Sequence, residues 1–236
     1  MDSCLKAGPS PSVNDSRRSR QEAMAQTRRD LVLRAVRQAV ADGGVTNANV
    51  RDIAKRAGYT AGALYAYFPS KQALFEAVLA DSLARAQAAA QSAKVAKGAP
   101  EGAFAARAQA WFAYFLAHPA EAHLLLHVLS SDGRGLGCVG EELATALMAS
   151  LAPVTQALVV LGCSPMLLQR ETMALLSMAM GVLLIHDPSK LSGTNALAVE
   201  ALASYIESVQ LRLVAAPEQP AQALAPEGFA QVDLFA

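Results

Sequence analysis

Residues 49–79 read NVRDIAKRAGYTAGALYAYFPSKQALFEAVL, and their spacing predicts three short helices with two tight joints. Asn49 suits a helix N-cap, with Asp52 three residues on in a capping-box relation. Val50, Ile53, Ala54 and Ala57 fall at i, i+3, i+4 and i+7, which makes one apolar helical face. Gly58 ends that helix where a left-handed residue is cheap. Thr60 caps a second, short helix that points Leu64 and Phe68 inward. Pro69 and Ser70 close it and open a third, whose face carries Leu74, Ala77 and Val78. Two helices joined by a short glycine-containing turn form a helix-turn-helix, whose second helix can enter a DNA major groove.

The run I-A-x-x-A-G-Y-T-x-G-x-L-Y-x-Y-F-x-S-K-x-x-L, from Ile53 to Leu74, resembles the DNA-binding signature of the TetR family of bacterial regulators. The resemblance extends over about residues 27 to 79. It implies that Asn49, Thr60, Tyr65, Tyr67 and Lys71 contact the phosphate backbone. Their chemistry suits that role, since hydroxyls, an amide and an ammonium all donate to phosphate oxygens, and helix N-termini add amide donors. Tyr65 and Tyr67 are two apart and cannot share a helix face, so one is expected to pack in part while the other, Tyr65, reaches DNA. The resemblance also puts Ala61, Gly62 and Ala63 against base edges, where methyl groups can touch thymine methyls but make no bidentate bonds. Arg51 matches a position from which some members read a base. A phosphate contact or a solvated arginine is the alternative for it.

Charge is uneven along a chain with 20 basic and 20 acidic residues. Residues 1–80 hold 12 Lys/Arg against 7 Asp/Glu, a net +5, and the remainder holds the compensating −5. A basic end suits a polyanionic partner. Helix formers and alanine dominate while β-branched runs are scarce, so an all-α fold is expected. The expected organisation is a disordered basic arm over 1–22, a helix-turn-helix domain over 23–80, a helical ligand-binding and dimerisation domain over 81–215, and a mobile tail over 216–236. The first long helix should run from Thr27 to Asp42, and the fourth from Lys71 to about Ala96.

Five of the thirteen aromatic residues crowd into 101–117. Phe104, Trp111, Phe112 and Phe115 there, with His123, His127 and Met178, are the candidate lining of an apolar effector pocket; ordinary core packing is the alternative. His123 and His127 share a face, but Leu124 stands where a zinc-protease motif needs glutamate, so no metal is expected. Pro153 should break the helix spanning 140–161 near Ser150. The helices over 165–187 and 195–214 leave few polar faces, and one stripe of the second carries Leu197, Ala201, Tyr205, Val209 and Leu213. The resemblance implies that these two helices build a homodimer interface, and Leu176, Met180, Leu183, Leu184, Tyr205 and Val209 are its candidates.

No nucleophile elbow, P-loop, dinucleotide fingerprint or zinc motif occurs, so no enzyme and no cofactor is expected. Cys4, Cys138 and Cys163 share no metal-like spacing and read as reduced thiols. The first residues have no apolar core of a secretory signal, and the uncharged run Thr172–His186 falls short of the roughly 18–20 residues that cross a bilayer, so a cytoplasmic protein without a membrane partner is expected. The function this supports is a dimeric repressor, released from a palindromic double-stranded DNA operator by a small apolar effector. An all-α small-molecule carrier, or a constitutive DNA-binding protein without effector, is the alternative.

Overall fold

The computed structural model describes residues 13–95, 102–130, 141–185 and 194–215. Among these residues it contains ten helices and no strand, as the composition predicts. The expected tail over 216–236, the first twelve residues of the expected arm with Cys4, and Cys138 lie outside them. The chain divides into two compact units, Met1–Leu79 and Ala80–Ala236.

In the first unit, helix α1 runs Val13–Asn47, with a break at Gly44, where φ is 76°. It begins well before Thr27, so the expected arm is helical from Val13 onward rather than disordered. Intrahelical pairs support this stretch: Arg18 with Glu22 at 3.0 Å, and Gln26 Nε2 donating to Asp30 Oδ1 at 2.9 Å. Val32, Leu33, Ala35, Val36, Ala39 and Val40 turn the second half of α1 inward.

Helix α2, Val50–Ala57, starts as its spacing predicts: Asn49 Oδ1 accepts the Asp52 amide at 2.9 Å. It ends on Gly58 in the left-handed region (φ 77°), with Gly58 N donating to Lys55 O and Tyr59 N to Ala54 O. That reciprocal pair is the Schellman closure of a helix end. Helix α3, Ala61–Tyr67, is capped by Thr60 Oγ1, which accepts from Ala63 N at 3.1 Å. Helix α4, Lys71–Gln91, is capped by Ser70 Oγ from Ala73 N at 3.0 Å. It ends before the expected Ala96. Leu64 of α3 and Phe68, its C-cap, join Ile53, Ala54, Leu74, Phe75 and Val78 as buried residues of this unit. The Arg56 guanidinium pairs with Asp42 between α2 and α1 and, with the Gln38 amide, holds that carboxyl below its usual range.

The second unit is built on α5 (Ala103–Ala117), which packs against α6 (Pro119–Ser130), α8 (Ala152–Val160), α9 (Pro165–Ile185) and α10 (Thr194–Ala215). Between α7 (Glu141–Ser150) and α8 the chain bends by 48°, with Pro153 in the first turn of α8, as its position predicts. Helix α9, at 21 residues, is long and apolar enough to cross a bilayer by length and composition, contrary to the expectation from its uncharged run. That run leaves out the first turns, which contain Arg170 and Glu171. Here α9 packs among α5, α6, α8 and α10, and Glu171 is buried.

Burying a carboxylate is costly unless it is paired and hydrogen-bonded. Glu171 is both: Tyr205 Oη donates to Oε2 at 3.1 Å, Arg170 lies 3.1 Å from Oε1, and Arg212 lies 3.6 Å from Oε2. Burial first, and then the Glu171 charge, push the Tyr205 hydroxyl above 10.0. The cluster joins α9 to α10.

Stability measurements on three variants test these local geometries. A Cβ at Gly58 would meet no atom within 4 Å, so Gly58→Ala tests conformation alone and should cost about 1–2 kcal/mol, whereas Gly62→Ala in the first turn of α3 should stabilise by a few tenths of a kcal/mol, short of the roughly 1 kcal/mol of a helix interior. Denaturant unfolding of both variants checks the opposite signs. Because the Tyr205 hydroxyl is raised in the folded state, its contribution is complete below about pH 10 and is lost as pH rises through the folded value. Tyr205→Phe should therefore flatten part of the alkaline fall in unfolding midpoint; an unchanged alkaline slope would count against the Glu171 pairing.

Candidate nucleic-acid interface

The inward pair Leu64 and Phe68 sets which way α3 presents its other residues. Leu64 is 2% and Phe68 7% exposed, and four residues apart they share one face. Tyr65 and Tyr67 then flank that face on either side, and both stand out, at 49% and 58% exposure. The expectation that one of them packs is therefore corrected: on a seven-residue helix anchored at 64 and 68, neither azimuth turns inward. Gly62 is exposed, and Ala61 and Ala63 are half-buried. Thr60 is exposed at the start of α3, as are Asn49 and Arg51 at the start of α2.

Electrostatically this face is basic over most of its extent, with the exposed Asp52, bonded to Asn49, at its edge. Residues 53–75 contain no acidic residue and include Lys55, Arg56 and Lys71. The caps at Asn49, Thr60 and Ser70 leave further N-terminal amides of α2, α3 and α4 available at the surface, where they favour anions. Lys71 is folded back: its Nζ lies 3.5 Å from the carbonyls of Val45 and Thr46, and 5.1 Å from the centre of the Phe75 ring. These are long contacts, so little holds the ammonium away from a phosphate.

One feature of this unit has no local sequence signal. A cleft of about 310 Å³ lies between the N-terminal half of α1 and α3, walled by Glu22, Ala25, Gln26, Arg28 and Arg29 on one side and Tyr59, Ala63 and Tyr67 on the other. Arg29 stands over the Phe68 ring, 5.7 Å from its centre. Nothing in the spacing of α1 shows which neighbour its arginines would meet, because that depends on how the two helices cross.

In the second unit the candidate pocket residues are not brought together. Phe104, Trp111, Phe112 and Phe115 are buried, with Trp111 Nε1 donating to Ser150 Oγ at 3.1 Å and its ring 5.0 Å from that of Phe115. His123 and His127 are exposed on the far side of α6, whose inward face is Ala122, Leu124, Leu125 and Val128. Met178 is half-buried. Among the described residues no three His, Cys, Asp or Glu side chains are grouped to hold a metal.

The candidate dimer residues also divide. Leu176, Leu183 and Val209 are buried within the protomer, at 2%, 3% and 1% exposure, so they cannot form an interface with a second copy without opening the core. Leu184 is 72% exposed, and Met180 and Tyr205 are half-buried. On α10 the buried line is Leu202, Ile206 and Val209. The predicted stripe at every fourth residue drifts about 40° per step around a helix. It starts outside at Leu197 and Ala201, passes inside at Val209 and ends half-buried at Leu213. What remains outward is Met166, Met173, Leu184 and Ile185 on α9, and Leu197, Leu211 and Val214 on α10.

Together these features define a helix-turn-helix DNA-binding protein with a larger helical second unit. Residues 32–78 match the profile of bacterial regulatory proteins of the tetR family. The fold is similar to that of a transcriptional regulator from Rhodococcus sp. RHA1 (22% identity over 81% of this chain and 99% of that one, TM-score 0.63) and of a TetR regulator from Streptomyces coelicolor (21% identity, 81% and 99%, TM-score 0.57). It is also similar to LfrR of Mycobacterium smegmatis, described in complex with proflavine (19% identity, 77% and 95%, TM-score 0.52). No curated protein sequence matches the chain. Residues 32–78 thus carry a DNA-binding helix-turn-helix of the tetR type in the first unit, and the fold of the chain is similar to that of TetR-family transcriptional regulators.

The geometry makes a specific prediction for Arg51, which is exposed in the first turn of α2. Arg51→Ala should cost about 1–3 kcal/mol on the preferred site and relax preference at one base position. Equal weakening on preferred and random duplexes, read by parallel titrations, would assign Arg51 to phosphate instead.

Proposed function

We propose that the protein is a homodimeric repressor that places two copies of α3 in successive major grooves of a palindromic operator. The observation that carries this reading is the outward side of α3: Gly62, Tyr65 and Tyr67 stand clear of the core, within a stretch that has no acidic side chain. Asn49, Thr60, Tyr65, Tyr67 and Lys71 supply phosphate contacts, while Ala61, Gly62, Ala63 and Arg51 approach the bases. With so few polar readers, part of the specificity comes from DNA shape.

The outward apolar line on α9 and α10, from Met166 and Met173 to Leu184, Leu211 and Val214, supports pairing with a second copy. Two α3 helices related by a two-fold axis would then meet half-sites about 34 Å apart, one helical turn of DNA. Effector release is the finer part of the proposal. The aromatic residues of α5, buried in the core, are the apolar material that such a ligand would engage by opening it, and the similar LfrR is described in complex with proflavine. A constitutive DNA-binding protein is the second reading, favoured by the close packing of Trp111 with Phe115 and its bond to Ser150.

Selection of binding sites from random DNA, followed by a salt titration on the selected duplex, tests the repressor. Log affinity should fall with log salt at a slope on the order of −5, the mark of several released counterions. A chain that selects no sequence, or sediments as a monomer at the concentrations that saturate DNA, would overturn the paired-head geometry. Effector coupling is reciprocal: a compound that weakens operator binding tenfold must itself bind tenfold more weakly to the operator complex. Calorimetry with and without operator separates the effector-released repressor from the constitutive binder.

A further inference from the structure

The first thirteen described side chains of α1, residues 17–29, are exposed without exception. A helix exposed on every face is held by its own ladder and i,i+4 pairs rather than by a core, and its composition decides what it meets. This stretch contains Arg17, Arg18, Arg20, Arg28 and Arg29 against Glu22 alone. Such an imbalance on a rod of about 20 Å suits a polyanion and no apolar partner.

The register of these arginines gives them a direction. Arg17 and Arg28 are eleven residues apart, as are Arg18 and Arg29. Eleven residues lie within about 20° of three full turns, so each pair shares a face, about 16 Å apart along the axis. Arg28 and Arg29 border the cleft facing Ala63 and Tyr67 of α3, and Arg29 lies over Phe68. Arg17 and Arg18 therefore continue, three turns further out, the side of α1 that faces the DNA-reading helix. The rod is continuous from Val13, so these guanidinium groups are carried at a set distance instead of on a loose strand.

We propose that Arg17 and Arg18 contact phosphates flanking each operator half-site, adding affinity that is independent of sequence. The inference rests on the DNA-binding reading of α3 above, and extends it to a footprint longer than the half-sites. Arg18 holds Glu22 at 3.0 Å in the free protein, with both side chains largely exposed. Such an exposed pair is weak and yields readily to phosphate.

The test compares wild type, R17Q/R18Q and R17K/R18K in salt titrations on two duplexes, one extending a full helical turn beyond the half-sites and one cut flush with them. Every phosphate that is no longer neutralised lowers the salt slope by about 0.9, so removing four arginines from a dimer should lower it by about 3.6 on the long duplex. The double glutamine variant should match wild type on the flush duplex, and the lysine variant should keep most of the wild-type slope on the long one. Circular dichroism and thermal unfolding of R17Q/R18Q report whether the rod persists. An unchanged slope on the long duplex overturns the proposal, and an equal loss on both duplexes moves the contact inside the half-site and overturns its flanking position. Failure of wild type to bind either duplex would instead sink the reading of α3, a result distinct from both.

Discussion

The joint between α2 and α3 is the constraint on which the DNA-reading surface depends. A seven-residue helix is too short to persist alone in water, because nucleation costs more than so few hydrogen bonds return. Helix α3 exists because Gly58 closes α2 in a left-handed turn, Thr60 caps the next amide, and Leu64 and Phe68 bury. The two buried side chains set the rotation of the helix about its axis. Once they face the core, Tyr65 and Tyr67 must flank them and Gly62 must stand outside. Presentation to DNA is therefore a consequence of packing, and the lack of acidic residues through 53–75 makes that outward side suitable for phosphate.

The second unit solves a different problem. Its helices are apolar on most sides, and α9 buries Glu171 and Thr172 among leucines. A buried carboxylate that found no partner would cost several kcal/mol, so the cluster with Tyr205, Arg170 and Arg212 restricts how α9 and α10 can slide past each other. Glu121, also buried, accepts from Tyr114 Oη at 2.7 Å, which restricts α6 on α5 in the same way. Dispersion and apolar burial tolerate many registers, and specific hydrogen bonds to buried charge tolerate few. The outward line from Met166 to Leu184 is what this register leaves uncovered.

These two units differ in how far they could be read in advance. Caps at Asn49, Thr60 and Ser70, the left-handed Gly58 and the break at Pro153 all rest on interactions within four residues, so their chemistry shows in the order of residues alone. The face of α2 was equally legible, because a helix with a polar side announces its apolar one. The Glu171 cluster was not: a single acid in a mostly apolar helix shows that it needs partners, without showing that Tyr205 and Arg212 of α10 supply them.

The order of residues by itself determined an all-α chain, a helix-turn-helix with its capped ends and inward pair, and a basic first unit. Tertiary structure decided that α1 extends as a rod beside α3, and that Leu176, Leu183 and Val209 lie in the protomer while Leu184 and Leu211 lie outside it. It also decided that the α5 aromatics bury while His123 and His127 face outward. The physical reason is the same in each case. A helix that is apolar or polar on all sides carries no record of its own rotation, and only the neighbours it packs against can supply one.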